Sequence, residues 1–123
     1  MPIRILVADD SACMLSAVRQ VLQNESRIRI VGETSAFPTI MQMIVDYNPE
    51  VLLFDLHMAE RRSIEPAFVK SHLGSVSHAL AMSFGNDWAS KALAASYDVV
   101  LLDKMNLYAE MIPAIMHCRC NEL

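Results

Sequence analysis

The 123-residue chain predicts an α/β fold in which one parallel sheet carries helices on both faces, a doubly wound three-layer sandwich. Three observations carry this. Five aliphatic runs alternate with five segments of helical spacing, three of the runs are apolar at consecutive positions, and no internal repeat or linker divides the chain. Unbroken apolar runs belong to strands buried on both faces, as in parallel sheets, and repeated strand-helix alternation gives right-handed crossovers.

The first strand is Ile3–Ala8, with Ile5, Leu6, Val7 and Ala8 all apolar. A helix over Ser11–Asn24 follows, because Met14, Leu15, Val18, Val21 and Leu22 recur at three and four while Arg19, Gln20 and Gln23 take the outer face. Ile28–Glu33 is the second strand. Phe37–Asn48 sets Phe37, Ile40, Met41 and Ile44 on one stripe, and Pro49 ends it by driving Asn48 out of helical conformation. Val51–Phe54 is the third strand, followed by a helix from about Ser63 to Leu73. Ala79–Phe84 is the fourth strand, Asn86–Ser96 a helix, and Val99–Leu102 a fifth strand expected, like the first and third, to be buried on both faces. The last helix is Leu107–Cys118. An interior proline removes a donor and clashes with the preceding turn, so the regular part is expected to begin near Ala109 or Glu110, putting Pro113 in the first turn.

Composition bounds the function. A hydrophobic content of 54% supports one packed core, and residues 1–123 read as a single domain. The net charge of −4 and the absence of a basic run exclude a broad surface for nucleic acid or acidic membrane. Apolar runs are far shorter than the roughly 20 residues needed to cross a bilayer. The three cysteines, Cys13, Cys118 and Cys120, do not all pair within one chain, and no secretory leader precedes the first strand, which points to the cytoplasm. Cys118 and Cys120 lack a second Cys/His pair at ligand spacing and read as ordinary thiols rather than zinc ligands. The nine methionines, among them Met41, Met43 and Met58, read as adaptable core filler.

In a doubly wound sheet, reactive groups gather beyond the carboxyl ends of the strands. There the sequence sets Asp9 and Asp10 after the first strand, Asp55 after the third, Ser83 at the end of the fourth, and Asp103 and Lys104 after the fifth. Converging carboxylates repel unless a cation compensates. Mg²⁺ takes one or two carboxylates, several waters and phosphate oxygens. Asp10 and Asp55 suit direct ligation, with Asp9 acting directly or through water. Lys104 balances charge at rest and meets a phosphoryl oxygen when one arrives, Ser83 donates to another, and Asp55 is the nucleophile. Helix capping by Asp9, Asp10 and Ser11 is compatible with metal binding. An acid closing the apolar run Val51–Phe54 has no obvious structural purpose.

Through Ile5–Ser11, Val51–Met58, Met82-Ser83 and Leu101–Lys104, the chain resembles the response-regulator receiver domain, the phospho-acceptor module of two-component signalling, over essentially its whole length. Ile112–Ile115 is similar to the final helix of receivers that precede helix-turn-helix output domains, and the expectation is a receiver with no output domain present. The resemblance implies a flavodoxin-like sheet of order 2-1-3-4-5. It implies phosphoryl transfer to Asp55 from a sensor histidine kinase or phosphotransfer protein. Mg²⁺ would be held by Asp9, Asp10, Asp55 and the main-chain carbonyl of His57, with Ser83 and Lys104 sensing the phosphoryl group. It further implies a switched surface for an unknown downstream protein, or for a homodimer through the fourth helix, fifth strand and fifth helix. Contact with nucleic acid or membrane is not expected. Such a module is regulatory, catalysing at most its own phosphotransfer and dephosphorylation.

Four positions depart from the family pattern. Ala59 and Met105 stand where proline is usual, so the loop shapes there, including the family's cis peptide after the lysine, do not carry over. Phe84 replaces a small residue and is expected to narrow access to Asp55. Leu101 replaces an aromatic ring that couples to the hydroxyl. Together they suggest the alternative to the phospho-acceptor reading, a receiver-like interaction domain that no longer uses phosphorylation. A haloacid-dehalogenase type of phosphatase needs a second acid where His57 stands, and a cap domain for its substrate. His57 is a candidate for positioning water near the phosphoryl group, against the plainer reading of a solvent-facing loop residue. Trp88 marks a partner surface or packs in part.

Overall fold

The alternation in the sequence becomes, in a computed structural model, a five-stranded parallel sheet with helices on both faces. The structure describes residues 1–85 and 87–120, the Cys120 side chain excepted; Asn86, where the fourth helix was expected to begin, lies outside the described residues. Chain order is β1 (Ile3–Ala8), α1 (Ala12–Leu22), β2 (Ile28–Thr34), α2 (Ile40–Tyr47), β3 (Val51–Asp55), α3 (Pro66–Leu73), β4 (His78–Ser83), α4 (Trp88–Tyr97), β5 (Val100–Asp103) and α5 (Leu107–Cys120). Short 3₁₀ turns occupy Phe37–Thr39, Glu60–Arg62 and Lys104–Asn106. The sheet order β2-β1-β3-β4-β5 is the expected one.

Strand periodicity sorts the core into two halves. Ile5, Val7, Leu53 and Met82 pack with Met14, Leu15 and Val18 of α1 and with Met111 and Ile115 of α5. Leu6, Leu52, Phe54 and Ala81 pack instead with Ile40 and Ile44 of α2, Val69 and Leu73 of α3, and Ala94 and Tyr97 of α4. All five residues of β3 are buried, as an apolar run between two helix layers requires. Each large aliphatic side chain removed from water there contributes about 1.5–3 kcal/mol.

Three expectations are corrected. β5 is not buried on both faces: it is an edge strand paired only with β4, and Val100 is 58% exposed. Pro113 lies in the interior of α5, which begins at Leu107 rather than near Ala109 or Glu110. The residue is exposed, so the carbonyl that it leaves unpaired one turn back, at the exposed Ala109, can bond to solvent. α3 starts at Pro66, not near Ser63, because Ser63 takes a left-handed φ of 57° that breaks the helix and Pro66 then sits at a first-turn position.

Met14, Met58, Met82 and Met111 are core residues, whereas Met105 is 76% exposed. Cys13 is exposed and Cys118 buried; the Cys120 side chain lies outside the described residues. Among the described residues no helix is long and apolar enough to cross a membrane.

Candidate functional site

Strand register assembles the site. Ala8 lies beside Phe54, Asp55 beside Met82, and Ser83 beside Asp103, so one further step along each strand puts Asp9, Asp55, Ser83 and Lys104 in a row across the carboxyl edge. Helix starts fix their directions. The Ser11 hydroxyl accepts the Met14 N–H at 3.3 Å and caps α1, while Asp9 Oδ1 accepts the Ser11 N–H at 2.9 Å. Capping thus falls to Ser11 and Asp9, and Asp10 has no part in it. Asp103 caps the next 3₁₀ turn, accepting the Met105 N–H at 2.9 Å.

Asp9, Asp55 and Ser83 are 0%, 2% and 1% exposed, which makes their partners decisive. The Lys104 ammonium, on a side chain only 5% exposed, sits 2.9 Å from Asp9 Oδ2 and 3.2 Å from Asp55 Oδ1. Asp9 Oδ2 makes no hydrogen bond of acceptable geometry, so its link to Lys104 is ionic. On the open side the Arg61 guanidinium grips Asp10 in a fork, Nε to Oδ2 and Nη2 to Oδ1 both at 2.8 Å, and Nη2 also contacts Asp55 Oδ2. These bonds from Arg61 hold the Asp10 carboxyl below the ordinary aspartate value of 3.8, and Asp10 in turn raises the Arg61 guanidinium.

The donor set implies a divalent ion, and the residues fit one. One carboxylate oxygen from each of Asp9, Asp10 and Asp55 lies within 4.8 Å of the others, and Asp9 Oδ2 is buried without a hydrogen-bond partner. Hard oxygen donors of this kind suit Mg²⁺. The main-chain carbonyl of His57 accepts the Arg61 N–H at 2.9 Å and keeps its second lone pair.

The hydroxyl side of the pocket is a small network of two serines and His57, closed by the Glu60 carboxylate. The Ser83 Oγ is 3.3 Å from His57 Nε2 and 3.4 Å from Ser90 Oγ, Ser90 Oγ is 3.3 Å from the same nitrogen, and His57 Nδ1 is 2.9 Å from Glu60 Oε1. With Nδ1 donating to Glu60, Nε2 offers one lone pair to one of the two hydroxyls, and the other hydroxyl pairs with its fellow serine. His57 thus contacts Glu60 and two serines while its side chain stays 28% exposed in the turn after β3, so the plainer reading of a solvent-facing loop residue holds in part. Phe84 is 60% exposed, and the Lys104 ammonium lies 5.1 Å from its ring centroid, a cation-π distance. Its ring flanks the ammonium at the rim of an open pocket of about 330 Å³ that also includes Asp55. The described residues contain no cis peptide, so the bond after Lys104 is trans. Trp88 is 84% exposed, which settles its packing.

All predicted site residues meet at this one rim: Asp9, Asp10, Asp55, His57, Ser83 and Lys104 line the pocket together. Sequence reasoning missed Arg61, Ser90 and Glu60. None closes a strand; each arrives from a loop or a helix turn, where a polar residue carries no signal. His72, His78 and His117 do not line it.

The fold matches solved receiver domains. The isolated receiver of RcsB from Salmonella enterica serovar Typhimurium, solved with phosphomimetic BeF₃⁻, has a TM-score of 0.80 at 18% identity, over 98% of this chain and 90% of that one. The non-phosphorylated RcsB receiver of Escherichia coli gives 0.83 at 17% identity, over 98% and 95% of the two chains. The receiver domain of NarL from Mycobacterium tuberculosis gives 0.79 at 22% identity, over 95% of each. Among curated proteins, protein-glutamate methylesterase/protein-glutamine glutaminase 3 of Syntrophomonas wolfei is 31% identical over 62 residues, which is 50% of this chain and 18% of that protein. Its counterpart 5 of Myxococcus xanthus is 37% identical over 57 residues, 46% of this chain and 16% of the relative. The matches thus span less than a fifth of these relatives. No protein-family model matches the chain. The chain has the fold of a response-regulator receiver domain.

Proposed function

We propose that residues 1–123 form a single phospho-accepting receiver domain, in which Asp55 takes a phosphoryl group from a sensor histidine kinase or phosphotransfer protein with the help of Mg²⁺. The observation that carries this is the setting of Asp55: 2% exposed, in contact with both Lys104 and Arg61, and beside the further acids Asp9 and Asp10. A structural acid needs one partner; this one sits in a cluster built to hold excess negative charge.

Asp9, Asp10, Asp55 and the His57 carbonyl would hold Mg²⁺, which when bound neutralises charge on the transferring group. An Asp55 carboxylate oxygen forms the new bond to phosphorus as the bond to the donor's imidazole nitrogen breaks. Lys104, already 3.2 Å from Asp55 Oδ1, binds a phosphoryl oxygen. The Ser83 hydroxyl donates to a second, which requires it to leave His57 Nε2. Loss of that bond frees His57 and Ser90 and so reaches the start of α4, where Phe84 and Trp88, with Met105 of the β5-α5 connection and Tyr108 of the first turn of α5, expose apolar surface. That surface is where a downstream protein or a second copy docks. The role is regulatory and cytoplasmic, and no substrate is turned over.

One observation favours a second reading, a receiver-like interaction domain without phosphate: Arg61 already holds two of the acids. Beryllofluoride with Mg²⁺ separates the two. In amide NMR spectra the wild type is expected to shift at Asp55, Ser83 and the start of α4, and Asp55→Asn to stay unchanged. An identical response from both proteins, or none from either, ends the phospho-acceptor reading.

A further inference from the structure

Arg61 engages three of the four groups expected to hold the metal. Its side chain forks onto Asp10 and contacts Asp55, and its own N–H bonds the His57 carbonyl at 2.9 Å. Among the described residues, Lys104 is the other cation of the site, and it pairs with two of them, Asp9 and Asp55. We infer that Arg61 is a tethered cation that occupies the metal-binding face of the site and must swing away before a divalent ion can bind, so that it sets how readily the domain is loaded. This rests on the reading of Asp9, Asp10 and Asp55 as metal ligands.

Charge and accessibility both support the exchange. Three carboxylates face two cations, Lys104 and Arg61, which leaves one negative charge in excess. Replacing the single charge of Arg61 by the double charge of the ion brings the cluster to neutrality, so the exchange is favourable once the ion is at hand. Lys104 is unsuited to the gating part because it is buried and clamped between Asp9 and Asp55. Arg61 is 48% exposed at its side chain and sits on a one-turn 3₁₀ segment, Glu60–Arg62, followed by the left-handed Ser63. Its guanidinium has solvent to swing into, and neither its departure nor its substitution opens a cavity in the core.

The test is calorimetric titration of Mg²⁺ into the unphosphorylated wild type, Arg61→Gln and Arg62→Gln. Arg62 is the exposed neighbour on the same turn, so its substitution removes the same charge without touching the acids. Arg61→Gln is expected to bind Mg²⁺ about tenfold more tightly, the scale of one or two charge-assisted hydrogen bonds no longer displaced, with Arg62→Gln within about twofold of the wild type. Equal tightening in both variants overturns the inference in favour of long-range charge alone. Unchanged or weaker binding in Arg61→Gln, with clear binding in the wild type, overturns it and leaves the metal site standing. No binding in any of the three proteins overturns both the inference and the metal site.

Discussion

Both rims of the sheet carry an ionic cluster, and they are built to opposite rules. At the amino end Glu50, just before β3, faces two arginines: Arg119 of α5 at 2.9 and 3.0 Å, and Arg4 of β1 at 3.5 Å. One acid there meets two cations, and all three side chains keep partial solvent contact, which makes the cluster a clasp between β1, β3 and α5. At the carboxyl end three acids meet two cations, and two of the acids are almost wholly buried. A clasp is satisfied by what the chain supplies. The carboxyl rim instead keeps one acid more than its cations match, with two of its acids out of water, and the proposed phospho-acceptor role rests on that difference.

The largest expected effect falls on the buried cluster. Lys104→Met leaves Asp9 and Asp55 with no ammonium between them and should cost about 3 kcal/mol in denaturant unfolding at neutral pH without metal, because a buried charge loses its partner. Adding Asp9→Asn should recover much of that loss. A cost under about 1 kcal/mol would make the two rims energetically alike and break the contrast.

Arg119→Gln at the other rim should cost less than about 1 kcal/mol, as partly exposed pairs do. Burial alone would raise Glu50, but the bonds from Arg119 and Arg4 override it and hold the carboxyl below the ordinary value of 4.5. A depressed carboxylate stabilises the fold at pH above its unfolded value and loses that contribution as pH falls through its folded value. The wild type should therefore lose stability on acidification below about pH 4.5, and Arg119→Gln should flatten that part of the profile. An unaltered profile would remove the clasp.

How far the sequence could be read follows the same division. Strands announce themselves through unbroken apolar runs, so the residues that end them, Asp9, Asp55, Ser83 and Lys104, were legible, and parallel register then guaranteed that they meet. Arg61, Glu60 and Ser90 enter from a 3₁₀ turn and a helix start. Their places depend on how the loop after β3 folds back, which periodicity does not encode. The misjudged burial of β5 has a similar origin: Val99–Leu102 is as apolar as Val51–Phe54, and only strand order reveals that one run lies at the edge and the other at the centre. Pro113 was misplaced because tolerance of an interior proline is decided by which face of α5 meets solvent.

The most direct test of the account is the intact mass of the protein after incubation with acetyl phosphate and Mg²⁺. The wild type should gain one phosphoryl group and Asp55→Asn none. A wild type that gains nothing, or an Asp55→Asn protein that gains as much, would contradict the claim that the charge excess at this rim exists to receive phosphate.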